Sequence, residues 1–468
     1  MTTTAVLLVL FHIGPAAWGV YHALLYKRDP RAAMGWIMAC IFIPYGGPAA
    51  YFLFGINRVR SRGQDLKRRF LHVGYEAGTR RSQPSAEGEL GLRDVGLRIT
   101  GRPATDGNLV QPLFNGEQAY PAMLESIAAA RQRVFLATYI LKLDKTGQAF
   151  ADALEAAHLR GADVRVLIDG VGELYAFRRV ARSLAKRGIR TARFLPPKLL
   201  PPSIHLNLRN HRKLLIVDDD VAYAGGMNLS DHHTLLDDRP REVSDVHFAL
   251  RGPVIADLGN LFRSDWHFAT DGSDPVVTET PGAERGDMQC RIVPDGPDDE
   301  LDALAATIHT AISAAERTVD IMTPYFLPNR DLIASLASAA LRGVRVRIVL
   351  PGENNLPYVH WANRNVLGEL LRWDIEVCYQ PPPFNHAKLL CIDDAYTLIG
   401  SANLDSRSLR LNFELGVEVF SEDLNTAVCD YIDQVAVDSR PLTWGELEKR
   451  SLAQRLRDSA AALMSPYM

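Results

Sequence analysis

The sequence predicts an α/β protein of two similar lobes, each a mixed sheet flanked by helices, related by a pseudo-twofold and preceded by two transmembrane helices. Three observations carry this expectation. Runs rich in Val, Ile and Leu alternate with alanine-rich helical runs from about residue 108 onward, the pattern of strands joined by helical crossovers. That alternation occurs twice with matching segments in the same order, as an internal duplication requires. The first 56 residues carry charge only at Lys27, Arg28, Asp29 and Arg31, which leaves two long apolar runs.

Those runs, at about 4–26 and 32–54, each approach the ~20 residues that cross a bilayer as a helix. A cleaved signal peptide would place Lys or Arg before a shorter apolar core, so residues 1–57 are expected to form a membrane hairpin closed by a short charged loop. His12, Pro15 and His22 interrupt the first run, so a re-entrant or interfacial placement is the other reading. Arg58, Arg60, Arg62, Lys67, Arg68 and Arg69 outnumber the basic residues of the loop. The positive-inside bias then puts the larger C-terminal part in the cytoplasm, on a multi-pass bacterial inner-membrane protein. Five scattered cysteines, Cys40, Cys290, Cys378, Cys391 and Cys429, lack metal-ligand spacing and suit a reducing compartment.

Residues 58–107 read as a basic juxtamembrane segment and a linker rich in Gly, Ser, Pro, Glu and Arg. A first lobe, 108–271, opens with a helix at 119–130, a strand at 133–139, a helix at 147–158 and a strand at 163–168. After a polar linker at 272–286, the second lobe, 287–442, repeats the series at 301–314, 318–323, 330–341 and 345–350. The remainder, 443–468, has apolar residues at helical spacing between Arg and Lys over 444–464. It is expected as one helix, packed on the domain or lying on a membrane surface.

The chemistry lies in a pattern that each lobe carries once. Asn210-His211-Arg212-Lys213 leads to Asp218, and Asn385-His386-Ala387-Lys388 leads to Asp393. Each histidine is followed seventeen residues later by an asparagine, Asn228 in Gly-Gly-Met-Asn and Asn403 in Gly-Ser-Ala-Asn. His and Lys two apart on a strand share a face, so each copy supplies half of a phosphate site. Two facing imidazoles can divide a double displacement: one attacks phosphorus to give a phosphohistidine, the other protonates the leaving alkoxide and then deprotonates the incoming alcohol. Lys213 and Lys388 would hold the nonbridging oxygens, with Asn228, Asn403 and Ser401 adding hydrogen bonds. Asp218 and Asp393 complete the catalytic motifs, yet they stand an odd number of positions from their histidines and would point to the other face, in a structural role. Asp245 and Glu414, downstream of the two motifs, are the candidates to fix the imidazole tautomers. This chemistry requires no metal or cofactor; the His232-His233 pair lacks a Cys or Glu partner at zinc-ligand spacing.

With these residues in view, the chain resembles the phospholipase D superfamily, and within it the bacterial cardiolipin synthases. The similarity runs through Lys27-Arg28-Asp29-Pro30, Trp36, Pro44, Gly47, 51–55, 209–213, 323–328, 400–408 and Ser465-Pro466. The resemblance implies phospholipase D-like lobes and transfer of a phosphatidyl group from one phosphatidylglycerol to another, releasing glycerol. It implies His211 as nucleophile and His386 as general acid, with phosphatidylglycerol and the membrane bilayer as partners. Ser230-Asp231-His232-His233 and Arg372-Trp373-Asp374 depart from the family pattern and are expected to shape the acceptor pocket. Phe326, Leu327, Phe384 and 199–202 are candidates for an apolar approach. The alternatives are a phospholipase D-type hydrolase, a phosphatidyltransferase with another donor or acceptor, and, further off, a nuclease. Against nucleic acid stand a near-neutral balance of 52 Lys and Arg to 55 Asp and Glu and no concentrated basic stripe interleaved with aromatics.

Overall fold

The computed structural model describes residues 3–27, 30–55, 91–176, 180–197, 208–235, 242–272, 279–297 and 300–465. The basic residues of 58–69 and the apolar stretch 199–202 lie outside them. The chain divides into two units, 1–65 and 66–468.

In the first unit, the first apolar run forms the single helix Thr3–Tyr26. The second does not form one helix. It gives Pro30–Phe42, a turn, the short helix Gly46–Ala50 and a π-helical turn Tyr51–Gly55. Pro44 disfavours helical geometry at Ile43, and Tyr45 takes a positive φ of 59°. At ~1.5 Å per residue, thirteen residues reach about 20 Å, short of the ~30 Å hydrocarbon core. The expectation of a second spanning helix is corrected accordingly. Among the described residues no helix is long and apolar enough to cross a membrane. The two longer helices meet through Ala23, Cys40 and Tyr51, at a spacing that leaves a Cβ on Gly19 only 2.8 Å from the Cys40 sulfur.

The second unit is built on one fifteen-stranded sheet. Its first half contributes β1 (Thr105–Phe114), β2 (Arg133–Thr138), β3 (Asp163–Asp169), β4 (Arg190–Phe194), β5 (Leu214–Val217), β6 (Val221–Gly225) and β8 (Val246–Arg251), with β7 (Val243–Ser244) apart from it. The second half supplies β9 (Met288–Asp295), β10 (Thr318–Met322), β12 (Arg345–Pro351), β13 (Glu376–Gln380), β15 (Leu389–Ile392), β16 (Tyr396–Gly400), β18 (Glu414–Phe420) and β19 (Arg440–Pro441). The two-residue strands β11 (Phe326–Leu327), β14 (Phe384–Asn385) and β17 (Leu404–Asp405) lie outside the sheet. The halves join edge to edge where β1 pairs antiparallel with β9. Outward from that seam the order is β1-β8-β6-β5-β2-β3-β4 on one side and β9-β18-β16-β15-β10-β12-β13-β19 on the other. The duplication is therefore a duplication of topology.

Helices cover both faces, so strands such as β5 and β15 are buried at every position, as their unbroken apolar runs require. Each half has its own core, one around Phe150, Leu154 and Val166, the other around Ile308, Leu336 and Ile348. Helix Leu92–Thr100 falls within the stretch expected as linker. The C-terminal segment forms two helices, Trp444–Glu448 and Leu452–Leu463, each opened by a capping box.

Candidate active site

β5 runs antiparallel to β2, and β15 antiparallel to β10. The residues entering β5 and β15 thus lie beyond the carboxyl ends of the parallel strands β2, β3, β10 and β12, where open α/β sheets bind ligands. Both His-x-Lys segments stand there as extended lead-ins, one step before their strands begin.

Each lead-in is clamped by the opposite half of the molecule. Asn210 forms a parallel bridge with Phe413, and the His211 amide donates to the Phe413 carbonyl at 2.9 Å. In the mirrored arrangement β14 pairs with β7, and the His386 amide donates to the Ser244 carbonyl at 2.7 Å. The residue after each clamp is a buried carboxylate, so the orienting groups are exchanged. Glu414 of the second half accepts from His211 Nδ1 at 3.1 Å. Asp245 of the first half accepts from His386 Nδ1 at 3.0 Å. A carboxylate on Nδ1 leaves the lone pair on Nε2, so both imidazoles are set in the tautomer that can attack or accept at Nε2.

The two sides differ in detail. Ser401 Oγ donates to Glu414 at 2.5 Å and Asn412 Nδ2 at 3.0 Å, so Ser401 holds the carboxylate. The matching position in the first half is Gly226, where a Cβ would stand 2.9 and 3.0 Å from the Asp245 oxygens and 3.0 Å from the His386 carbonyl. Only a residue without a side chain leaves Asp245 in place.

Lys213 Nζ donates to the His211 carbonyl at 2.6 Å and Lys388 Nζ to the His386 carbonyl at 2.5 Å. Lys388 Nζ also stands 3.0 and 3.1 Å from the His386 ring nitrogens. Asp218 and Asp393 are at the far ends of β5 and β15, both with φ of 50°. Asp218 accepts from the backbone amides of Arg131, Gln132 and Arg133 at 2.8–3.0 Å, and Asp393 from those of Glu316, Arg317 and Thr318 at 2.7–3.0 Å. Each ties the entrance of the neighbouring strand, five residues or about 17 Å of extended chain from the lysine.

Burial lowers His211 to about 4, against the pull of Glu414. It lowers His386 to about 3, helped by Lys388. Lys213 falls to about 7 and Lys388 to about 8 through desolvation. Burial alone would raise Asp245, but its bond to His386 and the charges of His386 and Lys388 hold it at about 2. Without an anion present, both imidazoles are therefore neutral near pH 7 and both orienting carboxylates are ionised.

His211, His386, Asn228 and Asn403 line a cleft of about 1390 Å³, together with Tyr139, Arg209, Tyr325 and Arg407. Asn228 Oδ1 accepts from the Ile140 amide at 3.3 Å; Asn403 Oδ1 is buried without a partner. Four of these groups were not singled out from the sequence. Tyr139 meets His211 edge to face at 5.0 Å while its hydroxyl accepts from Arg209 at 2.8 Å, and Tyr325 meets His386 at 6.3 Å. Their signal is positional, since both follow the carboxyl ends of equivalent strands, β2 and β10. Arg209 and Arg407 add positive charge where an anionic phosphodiester would enter.

Ser230, His232 and His233 do line the cleft, with the His233 ring 6.3 Å from that of His386. Arg372, Trp373 and Asp374 do not: Arg372 lies over the Trp444 ring instead. Among the apolar candidates, Leu327 and Phe384 face the cleft, whereas Phe326 is fully buried in the core of the second half. Among the described residues no group of three or more His, Cys, Asp or Glu could hold a metal ion.

Residues 123–266 and 308–436 match the family model described as cardiolipin synthase, PLD-like domain, and residues 6–55 match phospholipase D-nuclease N-terminal. The chain is 30% identical to the major cardiolipin synthase ClsA of Bacillus subtilis over 100% of both chains. It is 30% identical to cardiolipin synthase A of Pseudomonas aeruginosa over 96% of this chain and 93% of that one. The crystal structure of a phosphatidylserine synthase of Haemophilus influenzae has the same fold, with a TM-score of 0.60 and 17% identity, covering 76% of this chain and 95% of that chain.

Proposed function

Since the chain belongs to the cardiolipin synthase family with phospholipase D-like domains, we propose that it transfers a phosphatidyl group from one phosphatidylglycerol to the glycerol hydroxyl of another, giving cardiolipin and glycerol. The observation that carries this reading is the exchange of carboxylates, by which Glu414 sets His211 and Asp245 sets His386 in one cleft.

His211 Nε2 attacks phosphorus, forming an N–P bond as the P–O bond to glycerol breaks. His386, protonated, gives its proton to the departing glycerol oxygen. The hydroxyl of the second phosphatidylglycerol then attacks the same phosphorus, His386 takes its proton, and the N–P bond breaks to release cardiolipin. Lys213 and Lys388 neutralise the nonbridging oxygens, and the tethered Asp245 stabilises the imidazolium while it carries the proton. Burial and Lys388 hold the proton affinity of His386 low, and the charge of an anionic substrate raises it, so the proton is taken up as the substrate binds.

Membrane attachment through residues 1–57 belongs to the same proposal. It is supported by a first unit with large apolar side chains on its outside, among them Phe11, Trp18, Leu24, Met38 and Phe42. The basic residues of 58–69 favour a cytoplasmic catalytic unit on the inner membrane.

The test is mass-spectrometric product analysis of the purified, detergent-solubilised protein given phosphatidylglycerol alone. Cardiolipin with free glycerol is expected, and neither from His211→Ala. Phosphatidic acid in place of cardiolipin would make water the acceptor and overturn the synthase reading.

A further inference from the structure

We propose that the helix Leu452–Leu463 is a lipid-docking surface that seats the rim of the cleft on an anionic bilayer. The proposal rests on the lipid-substrate reading above and names the surface that presents the substrate.

The helix is held from one side. Ala461 and Ala462 pack against the small cluster of Leu327, Val359 and Ala362. Asp458 is fully buried beneath the helix, bonded by Arg450 at 2.9 Å and Arg457 at 2.7 Å. The Arg457 guanidinium lies 4.5 Å over the Trp361 ring. A helix packed on a protein ordinarily turns its apolar stripe inward. Here the stripe faces out: Leu452, Leu456 and Leu463 are 73%, 63% and 79% exposed. At ~100° per residue the three lie within about 40° of one another around the helix axis. The buried carboxylate and the outward leucines are the reverse of what folding alone would select.

Position and charge identify the occupant. Met464, the next residue, lines the cleft that holds His211 and His386, as does Tyr358 of the neighbouring helix Pro357–Leu371. The stripe therefore ends at the mouth of the site. A lipid whose phosphodiester must reach the two imidazoles keeps its acyl chains in the bilayer, so the mouth has to meet the membrane surface. Residues 449–463 carry Lys449, Arg450, Arg455 and Arg457 against the single carboxylate Asp458, and Lys449 and Arg455 are exposed. An outward leucine stripe with basic neighbours is the composition of a helix lying in the interface of an anionic membrane.

The test uses the full chain reconstituted in phosphatidylglycerol vesicles, with the photo-crosslinker 4-benzoylphenylalanine replacing Leu456. Controls carry it at Leu159 or Leu341, two exposed leucines before the amino ends of β3 and β12, at the opposite end of the sheet. Lipid adducts at 456 at least about tenfold above both controls are expected for an interfacial helix. Adducts no more frequent than the controls overturn the proposal, as do cross-links to another part of the chain or to a second copy. A second readout is the triple variant Leu452→Ser, Leu456→Ser, Leu463→Ser. It should turn over vesicle phosphatidylglycerol roughly tenfold more slowly, while its rate on monomeric short-chain phosphatidylglycerol stays within about twofold. Equal rates on vesicles, or equal loss on both substrates, count against docking. If the unaltered protein converts neither substrate, the reading of its function fails, and the cross-linking still decides whether the helix meets lipid.

Discussion

Replacing Asp245 by Asn tests the exchange of carboxylates between the halves. Asp245 is fully buried and its Oδ2 accepts from His386 Nδ1 at 3.0 Å. Asparagine keeps the shape and removes the charge. It also allows an amide N–H to face Nδ1, which would move the imidazole proton to Nε2 and abolish the lone pair needed for the incoming alcohol. Hydrogen bonds to charged groups contribute about 1.5–3 kcal/mol. At about 1.4 kcal/mol per decade of rate, the loss of this bond alone lowers kcat by roughly 10- to 150-fold. The wrong tautomer adds to it, so a total near the upper end of the ~10²–10⁴ range of acid–base catalysis is expected. The assay is cardiolipin formation at saturating phosphatidylglycerol, with thermal denaturation to establish that the variant is folded. A folded Asp245→Asn protein with kcat within about threefold of the parent would refute the assignment of Asp245 to His386.

Gly226→Ala puts a Cβ against both Asp245 oxygens; kcat should fall by about tenfold or more, with a smaller effect on melting temperature, and unchanged kcat would show that the contact yields freely. Asp218→Ala removes the acceptor of three backbone amides and should cost on the order of 3 kcal/mol of stability in denaturant titration. The folded fraction should keep its activity, and a stable but inactive variant would reassign Asp218 to the chemistry. At pH 7 His211 and His386, at about 4 and 3, are neutral, and Lys213, at about 7, is only partly charged. A bound anion raises all three, so calorimetric titration with a short-chain phosphodiester in buffers of different ionisation heat should show uptake of about one proton. Zero uptake, or release, contradicts a substrate-charged His386.

The sequence made the duplication and the paired motifs legible because both are local patterns. The equal spacing from His to Asn in each half reflects one strand, one turn and a second strand repeated in the sheet, β5-β6 and β15-β16. Asp218 and Asp393 bond the neighbouring strand's amides, but from positive-φ positions just past the ends of β5 and β15, where the odd spacing from the histidines no longer decides the face. Which carboxylate serves which histidine could not be read, because the clamp between 210 and 413 and between 244 and 385 is a contact between halves. Hydropathy read the second apolar run as one continuous helix for a complementary reason. It registers apolar side chains and passes over Pro44 and the positive φ of Tyr45, which break the second run. The seam β1–β9, which joins the halves into one sheet, likewise depends on edges that look alike in any two strands.

Trapping the covalent intermediate tests the central claim most directly. The full chain is mixed with phosphatidylglycerol, quenched in base during turnover, digested and mapped by mass spectrometry. A phosphatidyl adduct, or its phosphoryl remnant, on the peptide containing His211, and absent from His211→Ala, is the predicted result. Cardiolipin formation at full rate with no adduct on either histidine would contradict the account.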